Sequence, residues 1–415
     1  MKRSLALILV CSAAARSQGA SWLEERAAAV KSYQAKDYQG FRAHLQRELD
    51  LAGATPSVVY NLACAESLLG HREAALGFLR SWAAMGSVGD PAGDADLAAV
   101  QDGLGPVLAR VAENRRPVSH GAVVFTLPDK DLLTEDVAYD GPSRTFFVSS
   151  VHQRKIVAFR QGGAARDFVK PSPELWSVLG LHVDAPRRML WATTAAMPQT
   201  PGVAKEDRGR SALLAFDLGS GGLLKRFEVP RDGKDHVLGD LTVSPEGAVF
   251  VSDSISGVVY RERGKGLEVV VQAGVFRSPQ TPALSPDGQR LFVPDYARGI
   301  AEVDLGTSRV VWLVHSREVA LTGIDGLYLK GTTLVAVQNG TAPARVVRFQ
   351  LDPALRRVQG FDSIEMNTRQ LGSPTHGVIV ENEFYFLGNS GWDRAGDNDD
   401  SLKPGEPAVL LRVSL

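Results

Sequence analysis

One hairpin phrase recurs six times across roughly the last three hundred residues of the chain. Each copy has a small apolar run, a short turn and four or five strand-forming residues, as in LTVSPEGAVFVSDS and TPALSPDGQRLFVPDY. Hairpins repeated every ~40 to 60 residues are typical of β-propellers, which use one four-stranded sheet per blade. The repeat therefore predicts a mainly β fold, a six-bladed β-propeller. The copies begin at Glu135, Gly180, Gly239, Gln280, Asp325 and His376.

Residues 1–20 have the pattern of a secretory signal peptide. Lys2 and Arg3 precede the apolar run LALILV, and small residues follow that run. The run is much shorter than the ~20 residues of a membrane-spanning helix. We therefore expect a periplasmic or secreted protein without a membrane span. Cys64 would be the single cysteine of the mature chain, and we expect it to be buried in packing rather than reactive.

Residues 21–116 predict an all-α domain. Apolar residues recur there at spacings of three and four, and the stretch NLACAESLLGHREAAL predicts a helix pair that breaks at Gly70. The small residues Ala63 and Ala75 would let the two helices pack closely. With Leu62 and Leu79, this segment resembles one tetratricopeptide repeat. That resemblance implies either a docking site for a protein partner or a structural accessory to the propeller.

The propeller is expected to span residues 121–415. Pro117 and Gly121 end the helical segment, and the strand-like segment GAVVFTLP begins at Gly121. A propeller must not leave an open edge between its first and last blades. We therefore expect residues 122–127 to pair with the C-terminal strand AVLLRVSL in blade six. The net charge of −1 and the lack of a basic-aromatic stripe argue against nucleic acid as a partner.

Aligning the six copies predicts which side chains share the mouth of the central channel. The first position before the inner strands is held by Glu135, Leu179, Gly239, Gln280, Asp325 and Thr375, and the next by Asp136, Gly180, Asp240, Thr281, Gly326 and His376. Carboxylate and amide oxygens that converge from separate blades are suitable ligands for a hard divalent cation such as calcium. Polar residues at a wet channel mouth, or Asp residues that only serve turns, are the alternative.

The phrases TEDVAYD, LTVSPEGAVFVSDS and GIDGLYLKGTTLVAVQNG resemble the senescence marker protein, gluconolactonase and luciferin-regenerating family. Paraoxonases and strictosidine synthases share its six-bladed fold. The resemblance implies a divalent metal on the channel axis, held by Glu135 and Asp325, with Gln280 in place of an Asn. Gly239 stands where the family has another Asn and offers no side chain, so we take the adjacent Asp240 as the candidate ligand at this position.

The same resemblance implies hydrolysis of a lactone or ester, with Asp325 as the catalytic base. The histidines His376 and His182 are possible further acid–base groups at the channel mouth, as is His236. The insertion at 197–210 and the acidic loop WDRAGDNDD, residues 392–400, are expected to lie over one face. The alternative function is non-catalytic: a propeller that holds a small-molecule ligand, with helical repeats that dock a protein.

Overall fold

The computed structural model describes residues 21–415, so the predicted signal peptide lies outside the described residues. The chain begins with two helix pairs, a 3-10 helix (Ala95–Gly103) and a final helix α5 (Gly105–Asn114). The pairs are α1 (Trp22–Gln34) with α2 (Tyr38–Ala52), and α3 (Pro56–Leu68) with α4 (Arg72–Ala84). Gly70, with a φ of +80°, breaks the second pair as predicted.

Local sequence signals fix the starts of these helices. Ser21 and Glu24 form a capping box at α1, in which each side chain binds the backbone N–H of the other residue. Thr55 caps α3 by accepting from the backbone of Val58, and Pro56 occupies the first turn. Cys64 is buried on α3, as expected of a packing residue. No helix among residues 21–415 is both long and apolar enough to cross a membrane.

The strands of the described chain form six sheets arranged as the blades of a propeller, which confirms the predicted fold. Two strands precede the blades, β1 (Val118–Ser119) and β2 (Ala122–Thr126). Blade one contains β3 (Thr134–Asp140), β4 (Thr145–Ser150), β5 (Lys155–Phe159) and β6 (Arg166–Val169). Blade two contains β7 (Ser177–Asp184), β8 (Met189–Ala195), β9 (Ser211–Asp217) and β10 (Leu223–Glu228). Blade three contains β11 (Leu238–Val243), β12 (Val249–Asp253), β13 (Val258–Arg263) and β14 (Gly266–Val271).

The remaining blades follow the same order. Blade four contains β15 (Ala283–Leu284), β16 (Arg290–Asp295), β17 (Gly299–Asp304) and β18 (Val310–Trp312). Blade five contains β19 (Ile324–Lys330), β20 (Thr333–Gln338), β21 (Arg345–Leu351) and β22 (Val358–Met366), and β1 pairs with its outer edge. Blade six contains β23 (Gly377–Val380), β24 (Glu383–Gly388) and β25 (Val409–Ser414).

The propeller closes through blade six. Strand β2 pairs antiparallel with β25, from Ala122 opposite Arg412 to Thr126 opposite Val409. The first strand of the propeller thus becomes the outer strand of its last blade, which removes an open edge. Phe125 of β2 also stacks on Phe159 of blade one, with ring centroids 3.8 Å apart. The predicted pairing of residues 122–127 with the C-terminal strand is confirmed.

The helices pack against the loops of blades four and five. Ala320, in the loop before β19, belongs to the same buried apolar cluster as the helices. Arg298 donates to the carbonyl of Leu51 at 2.6 Å, and Arg345 donates to the carbonyl of Met85 at 2.8 Å. The loops that make these contacts lie at the same end of the propeller as the starts of the inner strands. The helical layer therefore sits beside the predicted channel mouth.

Candidate functional site

The inner strands of four blades carry a β-bulge at the position where the repeat alignment puts the site. The regular pairing breaks between Thr134 and Val137 in β3, and the corresponding pairs in the other strands are Val178 and Leu181, Leu238 and Asp240, and Ile324 and Gly326. A bulge re-aims a side chain and frees backbone groups from the ladder. The bulged segments contain Glu135, Leu179, Gly239 and Asp325, so the first aligned position is also structurally special.

Hydroxyl groups at the ends of the second strands bind the backbone that the bulges free. Ser149 on β4 accepts from the backbone N–H of Asp136 at 2.9 Å. The Thr193 hydroxyl on β8 accepts from the backbone N–H of Gly180 at 2.8 Å and donates to the carbonyl of Gly239 at 2.9 Å. These bonds satisfy buried backbone groups that would otherwise destabilise the fold. They also tie blade two to blade three beside the channel axis.

Three ionisable side chains from three blades meet at the channel mouth. Glu135, Asp325 and His376 each offer a ligand atom, and these atoms lie within 4.8 Å of one another. Oε1 of Glu135 is 4.0 Å from Nδ1 of His376, and Oδ1 of Asp325 is 3.8 Å from Nε2. Oδ1 of Asp240 is closer, 2.7 Å from Nε2, but the ring N–H is not aligned with it as a hydrogen bond. We call Glu135, Asp240, Asp325 and His376 the mouth cluster.

Neutral donors hold the second oxygen of Glu135 and of Asp325, and in Asp240 they hold the same oxygen that faces His376. Trp392 donates its indole N–H to Oε2 of Glu135. Asn339 donates to Oδ2 of Asp325 at 2.6 Å, and Thr281 donates to Oδ1 of Asp240 at 2.9 Å. These bonds orient the carboxylates without neutralising them. Oε1 of Glu135 and Oδ1 of Asp325 therefore point their remaining lone pairs toward the shared space around the imidazole.

Burial makes this arrangement of charge unfavourable without a further cation. It raises the pKa of Glu135 well above its usual range, and the neighbouring Asp325 carboxylate adds to the effect. It also raises the pKa of Asp325, and raises that of Asp136 to about 7. Burial opposes a charge on His376, but Asp325 and Asp240 outweigh it and hold the pKa of that imidazole well above its usual range. Without a cation, the repulsion between these carboxylates would therefore be relieved by a proton held on one or more of them.

Two covering segments close the channel mouth. A short 3-10 helix (Trp392–Arg394) follows β24, and its loop holds Ala395 and Leu402 against Leu179 and Met197. Gln199 donates from the insertion to the carbonyl of Gly396 at 2.8 Å. The insertion and the acidic loop thus lie over the same face, as predicted. The side chains of Glu135 and Asp325 are only 13% and 11% exposed, and His376 is fully buried.

Gln280, His182 and His236 are the other predicted site residues, and each has its own surroundings. The Gln280 amide nitrogen donates to the Ser278 side chain at 2.9 Å, so this nitrogen is already engaged within its own loop. His182 lines the channel beyond the mouth cluster, in a cavity of about 470 Å³ bounded mainly by apolar side chains. Burial lowers its pKa to about 4, so it is a neutral channel residue. His236 binds Asp253 at 2.7 Å and Asp232 at 3.1 Å and so belongs to a separate ion pair.

Asn339 and Trp392 are site residues that the alignment did not single out. Asn339 follows the second strand of blade five, and Trp392 comes from a loop, so neither occupies the aligned position. The signal for Asn339 was its place in VAVQNG, directly after β20 and on the same face as the starts of the inner strands. The loop of Trp392 was expected to overhang the mouth, but its indole contact with Glu135 had no sequence signal.

Comparison with known proteins supports the fold. No protein-family model and no curated protein matches the chain. The luciferin-regenerating enzyme aligns with a TM-score of 0.51 and 14% identity over 72% of this chain and 95% of that one. A Thermus thermophilus oxidoreductase described as a glucose dehydrogenase gives 0.49, with 17% identity over 71% and 99%. Virginiamycin B lyase of Staphylococcus aureus gives 0.48, with 11% identity over 71% and 99%. At 14% identity, the likeness to the luciferin-regenerating enzyme establishes a shared fold and nothing further.

The mouth cluster fits a divalent cation by its chemistry. It combines two carboxylates that each have one oxygen without a neutral donor, and a buried imidazole whose Nε2 lies 2.7 Å from Oδ1 of Asp240. Oxygen ligands suit calcium or magnesium, and an added imidazole suits zinc or manganese equally well. A cation would also neutralise the excess of buried carboxylates. The fit therefore rests on charge balance as well as on ligand type.

Proposed function

We propose that this protein binds a divalent cation at the mouth cluster and hydrolyses small esters or lactones there. The observation that carries the proposal is the convergence of Glu135 and Asp325 on one imidazole in a nearly buried site. These residues lie far apart in sequence, and each is placed by a bulge in a different blade. When bound, a divalent cation polarises a carbonyl oxygen and stabilises the negative charge that develops on it.

The residues of the chain have separate roles in this proposal. Glu135 and Asp325 would hold the cation, with Asp240 as a further carboxylate beside His376. His376 would join them through Nε2 only after its ring proton is released, because a protonated imidazole has no free lone pair. Asp325 is the candidate base: Asn339 engages only its Oδ2, so Oδ1 is the oxygen of this carboxylate that can face the cation or take a proton from an attacking water. Trp392 and the insertion limit the entry of bulk water, which strengthens electrostatic interactions in the site.

The low exposure of the cluster favours a second candidate, a non-catalytic ligand-binding propeller. With the carboxylates only 11–13% exposed, the cation would link blades one, five and six, and the ligand would occupy the apolar channel below. The helical layer, whose tetratricopeptide likeness remains a prediction, would then dock a protein partner. In either case we propose that the mature protein is exported.

A hydrolysis assay separates the two candidates. Wild type should hydrolyse members of a panel of aliphatic lactones and aryl esters, lose activity after chelation, and regain it with calcium, manganese or zinc. Asp325→Asn should lose at least a hundredfold in kcat/KM, whereas the surface control Asp362→Asn, which removes an exposed ion pair with Arg348, should not change it. Cation binding without hydrolysis of any panel member would favour the non-catalytic candidate.

A further inference from the structure

A second cavity lies outside the channel, between the helical layer and the propeller. It has a volume of about 510 Å³ and is lined by α3, α4 and the loops of blades four and five. We call it the interdomain cleft. The lining residues, all within 21–415, include two arginines, Arg26 and Arg345, and no Asp or Glu. A cavity of this size can hold a small organic ligand, and its charged lining is entirely cationic.

Arg345 is the unusual member of this lining. It is only 1% exposed, yet it makes no ion pair with any carboxylate of the described chain. Its Nε donates to the side-chain oxygen of Gln338, and its Nη1 donates to the carbonyl of Met85, both at 2.8 Å. Both acceptors are uncharged. Gly86 allows this close approach, because a Cβ there would stand 2.1 Å from Nη1.

A buried guanidinium without a counter-charge is unfavourable, since burial removes the water that stabilises the ion. The Phe361 ring, whose centroid is 5.1 Å from Cζ of Arg345, offsets only part of that loss. Burial lowers the pKa of Arg345 to about 10, and the group therefore remains charged at neutral pH. Its Nη2 donates to no acceptor among residues 21–415, although Arg345 lines the cleft. An anion in the cleft would supply both the missing charge and the missing acceptor.

Other groups that line the cleft also favour a ligand with a negative charge. The first turn of α3, a helix of 13 residues, opens into it at Thr55, Pro56 and Ser57, and brings the positive end of the helix dipole. Arg26 also lines the cleft but is already paired with Glu48 at 2.6 Å. Tyr60 and Trp82 form an aromatic wall, with ring centroids 5.0 Å apart. One part of the cleft is thus cationic and another is aromatic, with the two rings inclined at 60° to each other.

We propose that the interdomain cleft binds a planar organic carboxylate. Its acid group would pair with Arg345 near the start of α3, and its apolar body would pack on Tyr60 and Trp82. A carboxylate matches the planar guanidinium geometrically, and the aromatic wall selects against a bare inorganic anion.

The cleft lies next to the mouth cluster. Tyr296 lines the cleft, and its hydroxyl donates at 2.9 Å to Asn339, which in turn donates to Asp325. Hydrolysis of a lactone yields a hydroxy acid, so the ligand class agrees with the proposed reaction. The proposed ligand site is independent of that reaction, because it is formed by Arg345 and the aromatic wall, which do not belong to the mouth cluster.

Calorimetric titration with a matched pair of probes tests the proposal. We expect naphthalene-2-carboxylate to bind the wild-type protein at least tenfold more tightly than naphthalene-2-carboxamide, which has the same body without the charge. Inorganic phosphate should not compete at millimolar concentration. Equal affinities for the two probes, no binding of the carboxylate, or effective competition by phosphate would overturn the proposal.

Variants then locate the site. Arg345→Gln should abolish the preference for the carboxylate and Arg345→Lys should retain part of it, whereas Arg348→Gln on the same strand should behave as wild type. Retention of the full preference in Arg345→Gln would refute the assignment. If Arg345→Gln fails to fold, Trp82→Leu replaces it and should weaken binding of both probes at least fivefold; unchanged binding would refute the site. Asp325→Asn should bind the carboxylate normally, which separates failure here from failure of the proposed hydrolysis.

Discussion

The contact between blades two and three at the channel axis makes a sharp prediction about two glycines. A Cβ on Gly180 would lie 2.6 Å from the carbonyl oxygen of Gly239 and 3.0 Å from Cα of Asp240. Both neighbours are backbone atoms, so the inner strands must shift to admit a methyl group. Overpacking of this kind typically destabilises a protein by about 1–3 kcal/mol. We expect Gly180→Ala to lower the free energy of unfolding by an amount in that range.

Gly239 provides the matched control, since it lies one blade away at the neighbouring aligned position. A Cβ there would meet only Oγ of Ser254, at 3.9 Å, and the backbone φ lies outside the left-handed region. Gly239→Ala should therefore be neutral or stabilise the fold by up to about 1 kcal/mol, because it restricts the unfolded chain. Urea unfolding followed by tryptophan fluorescence measures both variants. Equal effects of the two substitutions would refute the proposed close contact at Gly180.

Two further predictions concern the helical core and a buried ion pair. Leu79→Ala removes about three methylene equivalents from a fully buried side chain of α4, so it should destabilise the protein by roughly 3 kcal/mol, whereas the exposed Leu23→Ala should change stability by less than about 1 kcal/mol. Urea titration followed by far-UV circular dichroism decides this, and similar midpoints would contradict the packing. Burial opposes a positive charge on His236, but the hydrogen bonds to Asp253 and Asp232 outweigh it and raise the pKa of the imidazole. Its imidazolium stabilises the fold below the unfolded pKa of about 6.5, and this contribution is lost as the pH rises through the folded pKa. The stability difference between wild type and His236→Gln should accordingly be larger at pH 6 than at pH 9, and a difference that does not vary with pH would rule out this ion pair.

The repeat phrase contained most of the information about the fold. Its period predicted six blades, and the need to avoid an open edge predicted the pairing of β2 with β25. The alignment also brought Glu135 and Asp325 together across the channel. It worked because equivalent positions in a propeller surround one axis, and because both residues lie in bulges that direct them toward it.

The parts that the sequence did not predict come from outside the repeat. Trp392 lies in a loop, and its contact with Glu135 depends on how that loop folds over the mouth. Arg345 occupies an ordinary position on β21, and it becomes unusual only because the helical layer covers it. Gln280 occupied the expected aligned position, but a local bond to Ser278 engages its amide nitrogen. Alignment specifies the place of a Cα, whereas local partners decide where a side chain points.

The most direct test of the central claim is cation binding by purified, metal-stripped protein. Calcium, manganese and zinc should each be titrated calorimetrically into wild type, Asp325→Asn, Glu135→Gln and the surface control Asp362→Asn. At least one of these ions should bind wild type and the control with one site per chain, and raise their melting temperature, because ligand binding to the native state stabilises it. Its affinity should fall at least tenfold in each mouth-cluster variant. Absence of binding by all three ions, or equal affinity in wild type and Asp325→Asn, would contradict the account.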